Sequence, residues 1–111
     1  MSNDPATIAH RYFEKMRAGD PSVVELFHDD AELIGLGTVR SGRSEIESFY
    51  RESIANAGPS PTLQGDVLSS GNRAVAEIRI ALGDGSEVHA VDLFVVEEGR
   101  IRSLTYFIEE H

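Results

Sequence analysis

The 111-residue chain has no cysteine, only two methionines and four prolines, and ten basic residues against nineteen acidic ones. Without cysteine there can be no disulfide, no thiolate zinc site and no thiol nucleophile. The formal net charge of -9 sets the chain as a whole against phosphate backbones and anionic lipid, so nucleic acid and membrane surfaces are not expected partners. No run of 18 apolar residues occurs, and residues 1–7 carry neither a basic cluster nor an apolar stretch. Neither a transmembrane helix nor a signal peptide is therefore expected, and the expected location is cytoplasmic. There is no repeat or low-complexity run, and the longest break is Gly58-Pro59-Ser60-Pro61, so one domain is expected over residues 1–111. A hydrophobic content of 41% is enough for one core, and folding at this length buries about two-thirds of the unfolded chain's surface.

What is present is ordered as helices first and strands later. Asp4-Pro5 reads as an N-cap followed by proline at the first helical position, and Ile8, Ala9, Tyr12, Phe13 and Met16 then repeat at helical spacing up to Gly19. Asp20-Pro21 repeats the start signal for a short second helix carrying Val23, Val24, Leu26 and Phe27, which ends before His28-Asp29-Asp30. Residues 31–37 are too short and too glycine-rich for a helix and read as a strand. Ser44-Glu45-Ile46-Glu47 fits a capping box for a third helix, with Ile46, Phe49, Tyr50 and Ile54 on one face and Asn56-Ala57-Gly58-Pro59 as its stop. From residue 62 onward the pattern is an antiparallel meander, with strands at 62–69, 73–82, 87–96 and 101–108 separated by glycine-containing turns.

Parity assigns the faces. Ala74, Ala76, Ile78, Ile80 and Leu82 form a dry face, opposite Arg73, Val75, Glu77, Arg79 and Ala81. Residues 90–96 are apolar on both faces apart from one aspartate, the signature of a central strand covered on both sides. In so short a chain the second cover is expected to be another subunit, giving a homodimer packed through Val91, Leu93, Val95 and their neighbours.

Asp92 is the exception within that apolar run. A carboxylate there must be hydrogen-bonded, paired or protonated. Its parity groups it with Ala90 and Phe94. On a concave face under the helices it would sit in an apolar pocket with a raised pKa and act as a donor; the alternative is an ion pair with Arg79, Arg100 or Arg102, or a strand-end cap. Tyr12 lies on the buried stripe of the first helix and brings a hydroxyl that needs a partner, as do Tyr50 and Tyr106 on their own elements. Taken singly, each tyrosine reads more readily as packing than as chemistry. Together with Asp92 in one cavity they would form a donor set aimed at a ligand oxygen.

Metal and phosphate chemistry find no support. His10, His28, His89 and His111 show no ligand spacing, so no metal is expected. His10 lies about 200° around the helix from Tyr12 and is expected to face solvent, and His89 has the opposite parity to Asp92. No serine sits in a Gly-x-Ser-x-Gly elbow, and Gly83-Asp84-Gly85 is no phosphate loop. Glu97-Glu98 and Glu109-Glu110 read as solvated charges.

The order of elements resembles the nuclear transport factor 2-like superfamily, with its SnoaL-like cyclases and ketosteroid isomerases. The pieces that carry this resemblance are Arg17-Ala18-Gly19-Asp20, Leu26-Phe27-His28-Asp29-Asp30-Ala31, Arg40-Ser41-Gly42 and Val91-Asp92-Leu93-Phe94. It implies an α+β cone in which three N-terminal helices pack on a curved, mainly antiparallel sheet. Within the superfamily the chain is most similar to the ketosteroid isomerases, for which a protonated carboxylic acid beside a tyrosine in an oxyanion hole is a known arrangement. His10-Arg11-Tyr12 resembles the segment that supplies the oxyanion-hole tyrosine, Val91-Asp92-Leu93-Phe94 the strand that supplies the protonated aspartate, and Phe49-Tyr50 the segment whose tyrosine supports the first. Tyr12, Asp92 and Tyr50 are thus the implied catalytic residues, with Phe27, Gly35, Phe94, Leu104, Tyr106 and Ile108 around the substrate.

The chain departs from the isomerases at the general base. Counting on from Phe27-His28-Asp29-Asp30-Ala31 places that position at Gly35, and no acid occurs between Glu32 and Glu45. Tyr106 takes an inward position that is usually small in the isomerases, so a narrower cavity is implied. Losing a base removes a factor of typically about 10²–10⁴, and efficient ketosteroid isomerisation is not expected. Limonene epoxide hydrolases need an Asp-Arg-Asp set, but Glu77 and Arg79 point outward and Thr105 stands where the last acid belongs. A dehydratase would need pocket histidines, with only His28 and His89 on offer. The ranking that follows puts first a cofactor-free isomerase- or cyclase-like enzyme of small hydrophobic carbonyl or phenolic substrates. A small-molecule binding protein that has lost the chemistry comes second, and a dimeric scaffold third.

Overall fold

The computed structural model describes residues 4–109. Glu110 and His111, two of the charges considered above, lie outside that range. Helix α1 (Pro5–Arg17) starts as expected: the Asp4 carboxylate accepts the Thr7 amide at 2.9 Å, Pro5 has no N–H that needs an acceptor, and Lys15 and Arg17 complement the dipole in the last turn. Its stripe of Ile8, Ala9, Tyr12, Phe13 and Met16 is buried. The short second helix is a 3₁₀ helix over Pro21–Leu26, capped by the Asp20 side chain on the Ser22 amide.

The first strand begins earlier than its composition suggests. Strand β1 (Phe27–Gly35) takes in His28-Asp29-Asp30, whose polar side chains look like a helix stop but stay at the surface between the buried Phe27 and Ala31. A register shift between Phe27 and Glu32 lets this segment join the sheet. The expected single strand over 31–37 turns back at Leu36-Gly37, both at positive φ, into β2 (Thr38–Ser41). Helix α2 (Arg43–Asn56) follows, without the expected capping box. Its N-cap is Gly42, at φ 89°, and Ser44 lies inside the first turn, while the Glu45 carboxylate reaches back to the Ser41 amide at 3.3 Å.

The expected strand over 62–69 is divided in two, β3 (Ser60–Leu63) and β4 (Leu68–Ser70), both paired with β5 (Arg73–Ala81). Strands β6 (Glu87–Glu97) and β7 (Arg100–Ile108) complete the sheet in the order β2-β1-β7-β6-β5-β3. The β1–β7 pair is parallel and every other pair is antiparallel. The sheet curves, and α1, the 3₁₀ helix and α2 fill its concave side, an α+β cone.

Face assignment by parity holds along β5 and β6. Ala74, Ala76 and Ile78 are buried with Ala90, Asp92, Phe94 and Val96 on the inner face, while Arg73, Val75, Glu77 and Arg79 are exposed. Val91, Leu93 and Val95 are half-buried on the outer face. On that face His89 bridges Glu77 and Glu109 at 2.7 Å each, which raises its pKa.

Candidate functional site

A cavity of about 230 Å³ opens between α1, α2 and the inner face of β3, β5, β6 and β7. Its wall includes Tyr12, Phe13 and Met16 from α1, Phe49, Tyr50 and Ser53 from α2, Ile78, Ala90 and Asp92 from the central strands, and Leu104, Tyr106 and Ile108 from β7. The wall is apolar apart from Ser53, three tyrosines and one carboxyl.

Tyr12 and Tyr50 face each other across the two helices, hydroxyl to hydroxyl at 2.8 Å. In such a pair one hydroxyl donates to the other, and the acceptor keeps its own proton to donate to a third group. Burial raises the pKa of both phenols, and their proximity to Asp92 raises them further, so both are held protonated. The rings are fixed by edge contacts: Tyr12 meets Phe13 and Phe94, each with centroids 5.3 Å apart, and Phe27 lies 5.9 Å from Tyr50.

Asp92 is 4% exposed, the one polar or charged residue buried among the described residues. No described side chain or backbone group hydrogen-bonds its carboxyl. The arginines that offered an alternative partner are engaged elsewhere: Arg79 pairs with Glu87 at 3.4 Å, and Arg102 pairs with Glu97 and Asp30. Arg100 lies exposed at the start of β7. Burial without a counter-charge pushes the Asp92 carboxyl up to about 7. An unpartnered acid poised between its two forms, on the wall of an apolar cavity, suits hydrogen-bond donation to a ligand oxygen.

The residues inferred from sequence divide into two groups. Tyr12, Tyr50, Asp92, Leu104, Tyr106 and Ile108 lie together on the cavity wall. Phe27 and Phe94 do not: both are fully buried beneath it and brace the tyrosine rings instead. Strand parity gave the face of Phe94 but not its depth, Phe27 opens β1 instead of closing the second helix, and the rings of Tyr12 and Tyr50 cover them both. Gly35 is also withdrawn from the wall, because the Tyr106 ring lies over it. Among the described residues no histidine joins the cavity: His10 is exposed and His28 bonds the Glu97 carbonyl at 2.6 Å. Among the described residues no three histidine or carboxylate side chains converge as a metal site.

Several wall residues carried no sequence signal of function. Pro59 and Pro61, which read as a break between segments, line the cavity with Ile80, Leu82 and Val88. Phe49 belongs to the wall as well, stacked on Tyr106 with centroids 6.4 Å apart and covered by the Arg40 guanidinium at 4.4 Å.

The profile of the SnoaL-like domain matches residues 9–104. The chain belongs to the SnoaL-like family. Comparison of this SnoaL-like chain with curated protein sequences returns no match. Solved structures share its fold at low identity. One is a candidate ketosteroid isomerase from Kribbella flavida, with a TM-score of 0.85 and 20% identity over 96% of this chain and 78% of that one. Another is a candidate polyketide cyclase from Sinorhizobium meliloti, with a TM-score of 0.81 and 22% identity over 90% of this chain and 93% of that one. A third, a protein of ketosteroid isomerase-like fold from Catenulispora acidiphila solved with trimethylamine, has a TM-score of 0.82 and 15% identity over 93% and 85% of the two chains.

Proposed function

We propose that this SnoaL-like protein binds a small hydrophobic carbonyl or phenolic compound and that Tyr12 and protonated Asp92 donate hydrogen bonds to its oxygen. Tyr50 would donate to Tyr12, which leaves the Tyr12 proton for the ligand. The observation that carries this reading is the buried, unpartnered Asp92 carboxyl in the same apolar wall as the paired tyrosine hydroxyls. Two donors in a site of low dielectric stabilise negative charge that develops on an enol or phenol oxygen. Moving a proton between two carbons of a substrate also needs a base. Among the described residues Asp92 is the only carboxylate on the cavity wall, so the pair supports binding and polarisation and not efficient steroid isomerisation. No cofactor enters this scheme. The reading includes a homodimer joined through the outer face of the sheet.

One observation favours a second ligand class. An ionised Asp92 amid aromatic rings would also suit a hydrophobic ammonium, and the Catenulispora protein of similar fold was solved with an amine. The two readings have opposite pH dependences. A neutral carbonyl ligand needs the protonated acid, so its affinity falls as pH rises through about 7, whereas an ammonium ligand gains affinity over the same range.

Fluorescence titration with acetylnaphthalene and its carbonyl-free match, ethylnaphthalene, between pH 5 and pH 9 tests the proposal. Acetylnaphthalene is expected to bind more tightly at the acidic end. Tyr12→Phe and Asp92→Leu are each expected to weaken it by roughly five- to tenfold, the worth of one hydrogen bond, with little effect on ethylnaphthalene. Equal affinity for the two compounds at every pH would sink the donor reading.

A further inference from the structure

Strand register places Tyr106 between Asp92 on β6 and Gly35 on β1 in one row across the sheet. The Tyr106 ring does not stand clear of that row but lies over Gly35. A Cβ built on Gly35 would fall 2.4 Å from two of the ring carbons, closer than any side chain can approach. Gly35 has no positive φ that would call for glycine, so the ring, and not the backbone, explains the missing side chain. The ring also stacks on Phe49, which Arg40 covers. Tyr106 is therefore held by contacts with both β1 and α2, and it walls the cavity on the β1 side.

The size of the cavity gives this placement a consequence. A closed apolar cavity of about 150 Å³ accepts benzene. The roughly one and a half times larger space here, about 230 Å³, suits a ligand of one or two rings. We propose that Tyr106 is the residue that sets ligand size, filling the space above Gly35 so that the pocket takes one- or two-ring compounds and excludes larger fused systems. The inference rests on the cavity being the ligand site. It does not depend on hydrogen-bond donation by Tyr12 and Asp92, so hydrocarbons can test it separately.

Two measurements decide the matter. In the first, fluorescence titrations compare naphthalene with four-ring pyrene on wild type, Tyr106→Ala and Tyr106→Leu. Wild type is expected to prefer naphthalene. Either truncation is expected to tighten pyrene by about tenfold or more, the worth of roughly 60 Å² of newly buried apolar surface. Pyrene binding that is no tighter in the truncated variants, or that already equals naphthalene in wild type, would overturn the proposal, as would the absence of binding by any of the three proteins. In the second, thermal melts follow Gly35→Ala. The substitution is expected to lower the melting temperature by several degrees in wild type, as overpacking does, and to be tolerated in the Tyr106→Ala background. Equal losses in both backgrounds would show that the ring does not occupy the space above Gly35. A failure of the donor reading would be visible elsewhere, in equal affinities for acetylnaphthalene and ethylnaphthalene.

Discussion

At the scale of single residues, Asp92 is costly to keep. Its carboxyl has an ordinary value of 3.8 and is held up to about 7 in the folded protein by burial alone. Between these values the folded state binds a proton that the unfolded state releases, so folding is favoured at low pH and loses stability as pH rises through that window. The difference amounts to about 4 kcal/mol between pH 4 and pH 8, at about 1.4 kcal/mol per unit. Asp92→Asn removes the titration and keeps the shape. Denaturant unfolding of both proteins is expected to show the variant gaining on wild type as pH rises from 4 to 8, by as much as this amount. A gap that does not change with pH would mean that Asp92 is ionised in the folded protein. A residue that costs stability near neutral pH in a buried position is more readily understood as serving the cavity than as serving the fold.

At the scale of elements, the parts that could be read from sequence are those governed by local periodicity. The stripe on α1 and the alternation along β5 and β6 placed Tyr12 and Asp92 on inner faces, because period and parity are properties of a segment by itself. What could not be read depended on neighbours. The Tyr106 ring fills the space at Gly35 from the adjacent strand, a register relation that neither strand carries alone. Phe27 and Phe94 share the inner face yet sit beneath the wall, since depth follows from which rings cover them. The polar His28-Asp29-Asp30 run became strand because the residues on either side of it, Phe27 and Glu32 onward, pair with β7. The capping box at Ser44 gave way to Gly42, whose positive φ lets the chain turn sharply from β2 into α2.

At the scale of the whole molecule, the concave face of the sheet is filled by helices and the convex face is not. Phe107 is 57% exposed and Val75 37% exposed, beside the half-buried Val91 and Leu93 on neighbouring strands. A contiguous apolar patch on a chain of 111 residues is the basis for proposing a second copy as its cover. Sedimentation equilibrium is expected to give a dimer for wild type and a monomer for Phe107→Asp, and a monomeric wild type would remove this part of the proposal. The cavity opens on the opposite side of the sheet, so ligand binding and association are separable properties.

The most direct test of the central claim is the titration of the Asp92 carboxyl itself, followed by carbon-13 NMR in protein labelled at its aspartates, with Asp92→Asn identifying the resonance. The account predicts a midpoint near 7 in the free protein. It also predicts that saturating acetylnaphthalene moves the midpoint upward, because the ligand oxygen accepts a hydrogen bond from the protonated form alone. A midpoint in the ordinary carboxylate range, or one that the ketone lowers or leaves in place, would contradict it.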